Sequence, residues 1–542
     1  MHSLPYANYP PFISREQEEY VLSTIKDWSI QHGLTVRPSS SFVPGEVDKS
    51  GVLATTAPVT LFPSPFPESC FRQAHFLQTT YNELYAAISN DEVWIEEVMK
   101  GLIEVDDFIK NLWKVHQSVK EEGYVQQLSL GLFRSDYMLH APSSHELPSL
   151  RQVEFNTISS SFGGLSALVT SLHTHLLTFT DPSAHLAYPN HPLFEAREAG
   201  SANSNSQALP SDATINVPPV NDAVQVLQTG LSAAHEAYAS SKSEPKLPLC
   251  ILFLVQDHER NIFDQLALSS TLKFPVFRLL TSQILSHTSI DPDNHLRPLV
   301  YTPPSSPATR FEVTTIYLRA LYAPAEYTSA ESWSARLHLE RSAAIKCPGV
   351  LSQLAGCKKV QQVLTSISPD HVRRFLPNAS QSTLSSLRST FAPQYDLNPN
   401  SEGLAIALDE SRAANHVLKP QREGGGNNIY RTAIPGFLKS LPSKEHYRSY
   451  ILMELIHPPA EAKNTVLRSD GTVISGNVIS ELGVFGACLW RQGERTGDGA
   501  TRSGFEILHN EGGGYLMRTK GKDSDEGGVA AGFSCLDSVL LY

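Results

Sequence analysis

The sequence predicts a mixed α/β (α+β) chain in which helices precede a small, open parallel α/β unit. Three observations carry that expectation: helical periodicity within residues 14–120, a continuous apolar run at 249–255 of the kind a parallel strand covered on both faces needs, and a glycine-dense, strand-like last third. The 542 residues suffice for several domain-sized units, and 41% apolar against 18% charged residues suits a folded chain and excludes wholesale disorder. A net charge of −12 and a pI near 5.9 give no general reason to expect nucleic acid or an anionic membrane as partner.

Ser14 and Gln17 make a capping box, Val21, Ile25 and Trp28 share a face, and Gly33 can end the helix expected over 14–31. Helical periodicity returns over 70–87 and 93–120. Residues 198–220, rich in Ser, Asn, Pro and Ala, lack it and read as a mobile surface insertion. The apolar run at 249–255 leads into a polar turn, 256–261, and a second run follows at 314–319. Strands alternating with helices place the open α/β unit at 245–345, with ligands held beyond the strand C-termini. The chain thus divides into 1–244, 245–345 and 346–542, with a loose stretch expected at 491–514. Cysteines at 70, 250, 347, 357, 488 and 535 include no CxxC and read as buried free thiols of a reducing compartment. The N-terminal MHSLPYANYPPF shows no secretory pattern, and no run of about 18 apolar residues of the kind that spans a membrane occurs.

The segment richest in chemistry is VLKPQREGGGNNIY at 417–430. Consecutive glycines let backbone N–H groups turn toward an anion, Lys419 adds a point charge for phosphate oxygens, and Glu423 can hold a magnesium ion that bridges them. No GxxxxGK[ST] occurs, so this is not a P-loop, and a surface turn is the alternative. In QVEFNTISSSFGG at 152–164, strand alternation sets Glu154 and Asn156 on one face as hard oxygen ligands suited to Mg²⁺, ahead of a hydroxyl-rich turn; an ordinary amphipathic strand is the alternative. Arg134 closes an apolar run at an expected strand end, where a surface ion pair would also explain it. Glu481 lies in an apolar strand and needs a partner. Arg518 and Lys520 put two cations on one strand face, which repel unless they share an anion, and a small-residue loop follows at 526–532. There is no HExxH, zinc-spaced Cys/His set or GxSxG elbow to support zinc or serine-hydrolase chemistry.

A glycine loop with Lys419, magnesium-type ligands from separate segments and cations left for carboxylates describe an enzyme of the ATP-grasp kind, which uses ATP to activate a carboxylate. RSDYM at 134–138, QVEFNTISSSFGGL at 152–165, ERNIFDQ at 259–265, LERSAAIKCP at 339–348, QLAGCKKVQQ at 353–362, VLKPQREGGGNN at 417–428, ISELGVFG at 479–486 and RTK…GGVAAG at 518–532 closely resemble the eukaryotic type of glutathione synthetase, in order and across nearly the whole chain. The resemblance implies an ATP-grasp fold and a cytosolic homodimer that joins γ-glutamylcysteine to glycine, with ATP hydrolysed to ADP and phosphate. It makes Glu154, Asn156 and Glu423 ligands of two Mg²⁺. It makes Glu154, Lys358, the loop Lys419, Pro420, Gln421, Arg422, Glu423, Gly424, Gly425, Gly426, Asn427 and Asn428, then Tyr430, Glu481, Lys520 and Glu526 nucleotide contacts, with Met453, Glu454, Leu455 and Ile456 as the adenine hinge. Arg134, Ile158, Ser159, Ser160, Ser161, Glu259, Arg260, Asn261, Gln265, Arg319, Tyr322, Arg518, Val529 and Ala530 match substrate-contacting positions. Arg134, Lys358, Lys419 and Arg518 are the side chains expected to act on the reacting groups.

Three positions depart from the family pattern. Ala320-Leu321 replaces Asp-Gly between Arg319 and Tyr322, which alters a contact expected with the dipeptide. Glu526, with Asp525 beside it, stands before Gly-Gly where the family usually has Asp, and either can face the nucleotide. Leu455 stands where a lysine can occur, at little cost if that contact runs through the backbone. The implied chemistry is an acyl phosphate formed under neutralised phosphate oxygens and then displaced by glycine's amine, with the loops at 423–428 and 526–532 closing against water. A related ATP-grasp ligase using β-alanine or serine, a nucleotide-binding regulator without catalysis and a structural scaffold are the rival readings.

Overall fold

The computed structural model describes residues 8–143, 146–178, 188–189, 191–195, 215–242, 246–366, 369–495, 502–503, 505–522, 529 and 534–542. The first helix spans Arg15–His32. Ser14 and Gln17 form the capping box, Val21 and Ile25 are buried, and Gly33 ends the helix in the left-handed conformation at φ 77°. Glu68–Asn90 is the long second helix. The 93–120 segment, by contrast, is two helices, Glu92–Ile103 and Asp107–Glu122. The Asp106 carboxylate accepts from the amides of Phe108 and Ile109 at 3.1 and 3.2 Å, so the chain caps and restarts where periodicity alone reads as continuous.

A seven-stranded sheet runs in the order Lys463–Leu467, Val59–Thr60, Cys535–Asp537, Glu506–Gly521, Val473–Arg491, Leu128–His140 and Ser149–Asn156. Its pairings are antiparallel except that Cys535–Asp537 runs parallel to Val59–Thr60. Alternation along its strands feeds two cores. Leu130, Leu132, Phe485, Ala487 and Leu489 join the one that packs under helices Gly163–Thr178 and Ala223–Ser240. Phe133, Tyr137, Leu139, Cys488 and Trp490 join the other, against Glu68–Asn90. Arg134 sits in mid-strand between them, not at a strand end.

The expected loose stretch at 491–514 is corrected in part. Residues 496–501 and 504 lie outside the described residues, but Glu506–Gly521 pairs with Val473–Arg491 from Arg491↔Glu506 to Val478↔Gly521. Its glycines serve close packing. A Cβ on Gly514 would stand 2.2 Å from the backbone nitrogen of Ala223, and one on Gly512 would stand 2.9 Å from Gln78. Most of the 198–220 insertion also lies outside the described residues; Glu195 and Ile215 bridge across it.

Leu249–Val255 is buried along its apolar run and lies between parallel neighbours Val276–Leu280 and Phe311–Leu318. Ile345–Cys347 adds another parallel pairing, whereas Leu299–Tyr301 and Thr288–Ile290 are antiparallel. The sheet is therefore open and mixed, with a parallel centre. A third, antiparallel sheet orders Gln394–Tyr395, Tyr450–Glu454, His416–Pro420 and Ile429–Tyr430. All six cysteines are free and buried, and no described helix is long and apolar enough to cross a membrane.

Candidate functional site

The third sheet faces the Glu154 end of the seven-stranded sheet across a cleft of about 930 Å³. The glycine loop is the hairpin connection between His416–Pro420 and Ile429–Tyr430, so Lys419 enters the cleft from a rigid strand and the loop arches from its end. Gly424, Gly425 and Gly426 adopt φ 94°, 73° and 73°, a run that side chains with a Cβ rarely follow. The root of the loop is tied down. Gln421 accepts from the Lys359 amide at 2.9 Å and donates toward the Ser449 carbonyl, and Arg422 pairs with Asp106 at 2.7 Å.

Three remote segments meet at one ammonium. Lys358 Nζ, at the start of helix Lys358–Ser366, lies 3.0 Å from Glu154 Oε2 and 2.9 Å from Glu423 Oε1. Lys419 Nζ donates to the Val153 carbonyl at 3.1 Å, beside the same group. Burial opposes the charge on Glu154, but Lys358, Lys419 and Arg518 outweigh it and hold the carboxyl at about 2. Glu423 goes the other way: burial and its neighbour Glu154 raise it against the pull of Lys358. Burial likewise disfavours a charged Lys358, yet the two carboxylates keep it protonated well above the usual lysine range. Burial pushes Lys419, which donates to the Val153 carbonyl, down to about 8.

Further along the sheet, Arg134 grips Asp136 through Nε at 2.6 Å and Nη2 at 2.9 Å and donates from Nη1 to the Ser161 carbonyl at 3.2 Å. This is a buried ion pair, not a surface one. Arg518 pairs with Asp136 at 3.0 Å and with Glu481, which supplies the partner Glu481 needs. Arg518 and Lys520 both line the cleft while Thr519 between them points away to Asp537, as strand alternation requires.

Most of the marked residues converge on this cleft. Arg134, Glu154, Asn156, Lys358, Lys419 and Glu423 line it, as do Ile158, Ser159, Ser161 and Tyr322. The loop from Arg422 to Asn428, Tyr430, the hinge 453–456, Glu481, Arg518, Lys520 and Val529 complete its wall. In the hinge, the Leu455 amide already donates to the Asn415 carbonyl at 2.9 Å. Pro420 and Gln421 belong to the loop root, and Ser160 is buried behind the turn with its carbonyl facing Tyr317.

Glu259, Asn261, Gln265 and Arg319 form an adjoining cluster at the C-terminal ends of Leu249–Val255 and Phe311–Leu318. Glu259 accepts from Gln265 at 2.6 Å and from the Asn261 amide at 2.7 Å, and Arg319 pairs with Asp264 at 3.0 Å. Asp264 also accepts from the amides of Phe162 and Gly164, which fixes the Ser159–Phe162 turn against this sheet. Arg260 turns aside to the Arg37 carbonyl. At the departure from the family pattern, Leu321 adopts φ 66° and Glu326 accepts from its amide at 2.9 Å and from the next two amides, so the turn persists without glycine. Glu526 and Ala530 lie outside the described residues.

Sequence reasoning assigned no role to Asp136 or Asp264. Asp136 was legible, since alternation sets it on the same face as Arg134 two residues earlier; Asp264 gave no sign beyond its place in a first helical turn. Among the described residues no group of three or more His, Cys, Asp or Glu forms a metal centre. The donors present still fit Mg²⁺: two carboxylates and an amide, all hard oxygen ligands, meet at a cleft also lined by lysines.

Paired carboxylates bridged by lysine, a glycine hairpin and arginines set deeper in one cleft define an ATP-dependent ligase of the ATP-grasp class. Residues 15–541 match the family model described as eukaryotic glutathione synthase, ATP binding domain. The chain is 36% identical to glutathione synthetase of Homo sapiens, covering 97% of each chain. It is 34% identical to the glutathione synthetase large chain of Schizosaccharomyces pombe (strain 972 / ATCC 24843), covering 97% of this chain and 98% of that one. A solved glutathione synthetase-like effector from Globodera pallida shares the fold at a TM-score of 0.67 and 19% identity, covering 98% of both chains. The chain belongs to the eukaryotic glutathione synthase family.

Proposed function

We propose that this protein makes glutathione, joining the cysteinyl carboxylate of γ-glutamylcysteine to the amine of glycine while ATP becomes ADP and phosphate. A carboxylate oxygen attacks the γ-phosphorus, the bond to the bridging oxygen breaks, and ADP leaves an acyl phosphate behind. Glycine's nitrogen then attacks the acyl carbon, loses a proton, and phosphate departs. The observation that carries this reading is the meeting of Glu154, Lys358 and Glu423 within 3.0 Å at the foot of the glycine loop.

Lys358 and Lys419 bind phosphoryl oxygens, and the loop amides orient the triphosphate. Glu154, Asn156 and Glu423 would hold Mg²⁺, which supplies charge neutralisation at the phosphates. Arg134 and Arg518 receive the substrate carboxylates, and the Glu259–Arg319 cluster receives the γ-glutamyl end. The loop at 423–428 closes over the acyl phosphate and keeps water out; the second expected lid, 526–532, lies outside the described residues apart from Val529. The enzyme works in the cytoplasm as a homodimer, with the three segments 1–244, 245–345 and 346–542 as its structural units.

An ADP-release assay with γ-glutamylcysteine and glycine, each omitted in turn, tests the reading. ADP formation is expected to require the dipeptide and to yield glutathione only with glycine, with β-alanine and serine turning over far more slowly. ADP release indifferent to the dipeptide would overturn the assignment.

A further inference from the structure

We propose that Asp136 is a positioning residue for the two arginines of the site, aiming Arg134 and Arg518 at the substrate carboxylates while leaving the nucleotide end to Lys358 and Lys419; this rests on the ligase reading above. Asp136 is wholly buried and lies outside the cleft wall, whereas the side chains it holds line that wall. Its two oxygens accept from Arg134 Nε and Nη2 at 2.6 and 2.9 Å, Asn156 Nδ2 at 2.9 Å and Arg518 Nη2 at 3.0 Å. These donors come from three strands of the seven-stranded sheet, so one carboxylate fixes the mutual geometry of all three side chains.

Two guanidinium groups drawn together in a low-dielectric site repel unless an anion lies between them. Asp136 is that anion. It occupies the Nε/Nη2 edge of Arg134 in a planar fork, which sets the ring of remaining donors in one direction. The opposite strand makes room for the fork. Gly483 pairs with Asp136 across the sheet, and a Cβ there would stand 2.6 Å from Asp136 Oδ1 and 2.7 Å from Arg134 Cδ.

Asp136→Asn keeps the volume but removes the charge and turns a donor toward donors; Gly483→Ala keeps every charge and displaces the fork. The full chain and both variants are titrated calorimetrically with γ-glutamylcysteine, and separately with ADP in the absence of divalent cation so that Asn156 does not enter. Each variant is expected to lose at least about tenfold in dipeptide affinity while ADP affinity stays within about threefold. Unchanged dipeptide affinity in the variants, or equal losses for both ligands, would overturn the proposal. If Asp136→Asn does not fold, Gly483→Ala decides on the same criteria. A wild-type chain that binds both ligands, shows the expected split in its variants and yet makes no glutathione would sink the ligase reading and leave the positioning role standing. A wild-type chain that binds no dipeptide would sink both.

Discussion

Lys358 holds two carboxylates that would otherwise repel, and the arrangement has different consequences for each. Glu154 is kept charged by Lys358, Lys419 and Arg518 together, whereas Glu423 relies on Lys358 against its own burial. Glu423 is thus the acid whose charge is most easily removed without disturbing the fold, since Lys358 keeps Glu154 at 3.0 Å. Glu423→Gln is expected to leave circular dichroism and melting temperature near wild type while lowering turnover by about 100-fold or more. Turnover near wild type would remove Glu423 from the metal and phosphate chemistry. At this scale the sequence was informative where residue type is diagnostic: Lys419 before three glycines, and Glu154 with Asn156 on one strand face. Lys358 was marked by the family resemblance alone, because a Lys-Lys pair at a helix start reads as solvated charge until the fold buries the first of them.

The two glycine runs show why elements are harder to read than residues. Gly424 faces open space apart from Tyr322 at 3.4 Å, so the first run is glycine for its backbone angles. The second run, 512–514, is glycine chiefly because two helices press on the strand, Gly514 adding a positive φ of 60°. Gly514→Ala is therefore expected to cost about 3 kcal/mol through collision with the Ala223 backbone, lowering the melting temperature with activity per folded molecule unchanged. Gly424→Ala is expected to cost about 1 kcal/mol through its positive φ and to impair turnover at little loss of folded protein. The reverse pattern in calorimetry and kinetics would exchange the two roles. Local signals of this kind decide which elements could be foreseen. The capping box at Ser14–Gln17 and the apolar run at 249–255 depend on near neighbours and stood out plainly. The strand at Glu506–Gly521, the restart at Asp106 and the antiparallel strand at Leu299–Tyr301 depend on tertiary partners or on one side chain's cap, which periodicity does not report.

Across the whole molecule, a buried polar knot joins the two ends of the chain to the middle. His173, on helix Gly163–Thr178, lies with Nε2 at 2.9 Å from the Thr60 carbonyl and Nδ1 at 2.7 Å from Ser538 Oγ. Next to it, Asp537 accepts from Ser64 Oγ and Thr519 Oγ1, both at 2.6 Å. Burial pushes His173 down to about 4 and Asp537 up to about 6, so each favours its neutral form when folded. The two act on stability with opposite sign. His173 contributes stability that is present above its unfolded value of about 6.5 and is lost as pH falls toward 4, because the unfolded chain then binds the proton more readily. Asp537 contributes stability that is full below its unfolded value of 3.8 and is lost as pH rises through about 6. Between pH 7 and pH 5 the histidine alone removes about 2 kcal/mol, and the aspartate returns more than half of it. Asp537→Asn deletes the compensation and keeps the shape. Its urea-unfolding stability is expected to fall by about 1 kcal/mol more than that of the wild type between pH 7 and pH 5. Identical pH dependence in the two proteins would mean that the knot does not couple proton uptake to the closure of the chain.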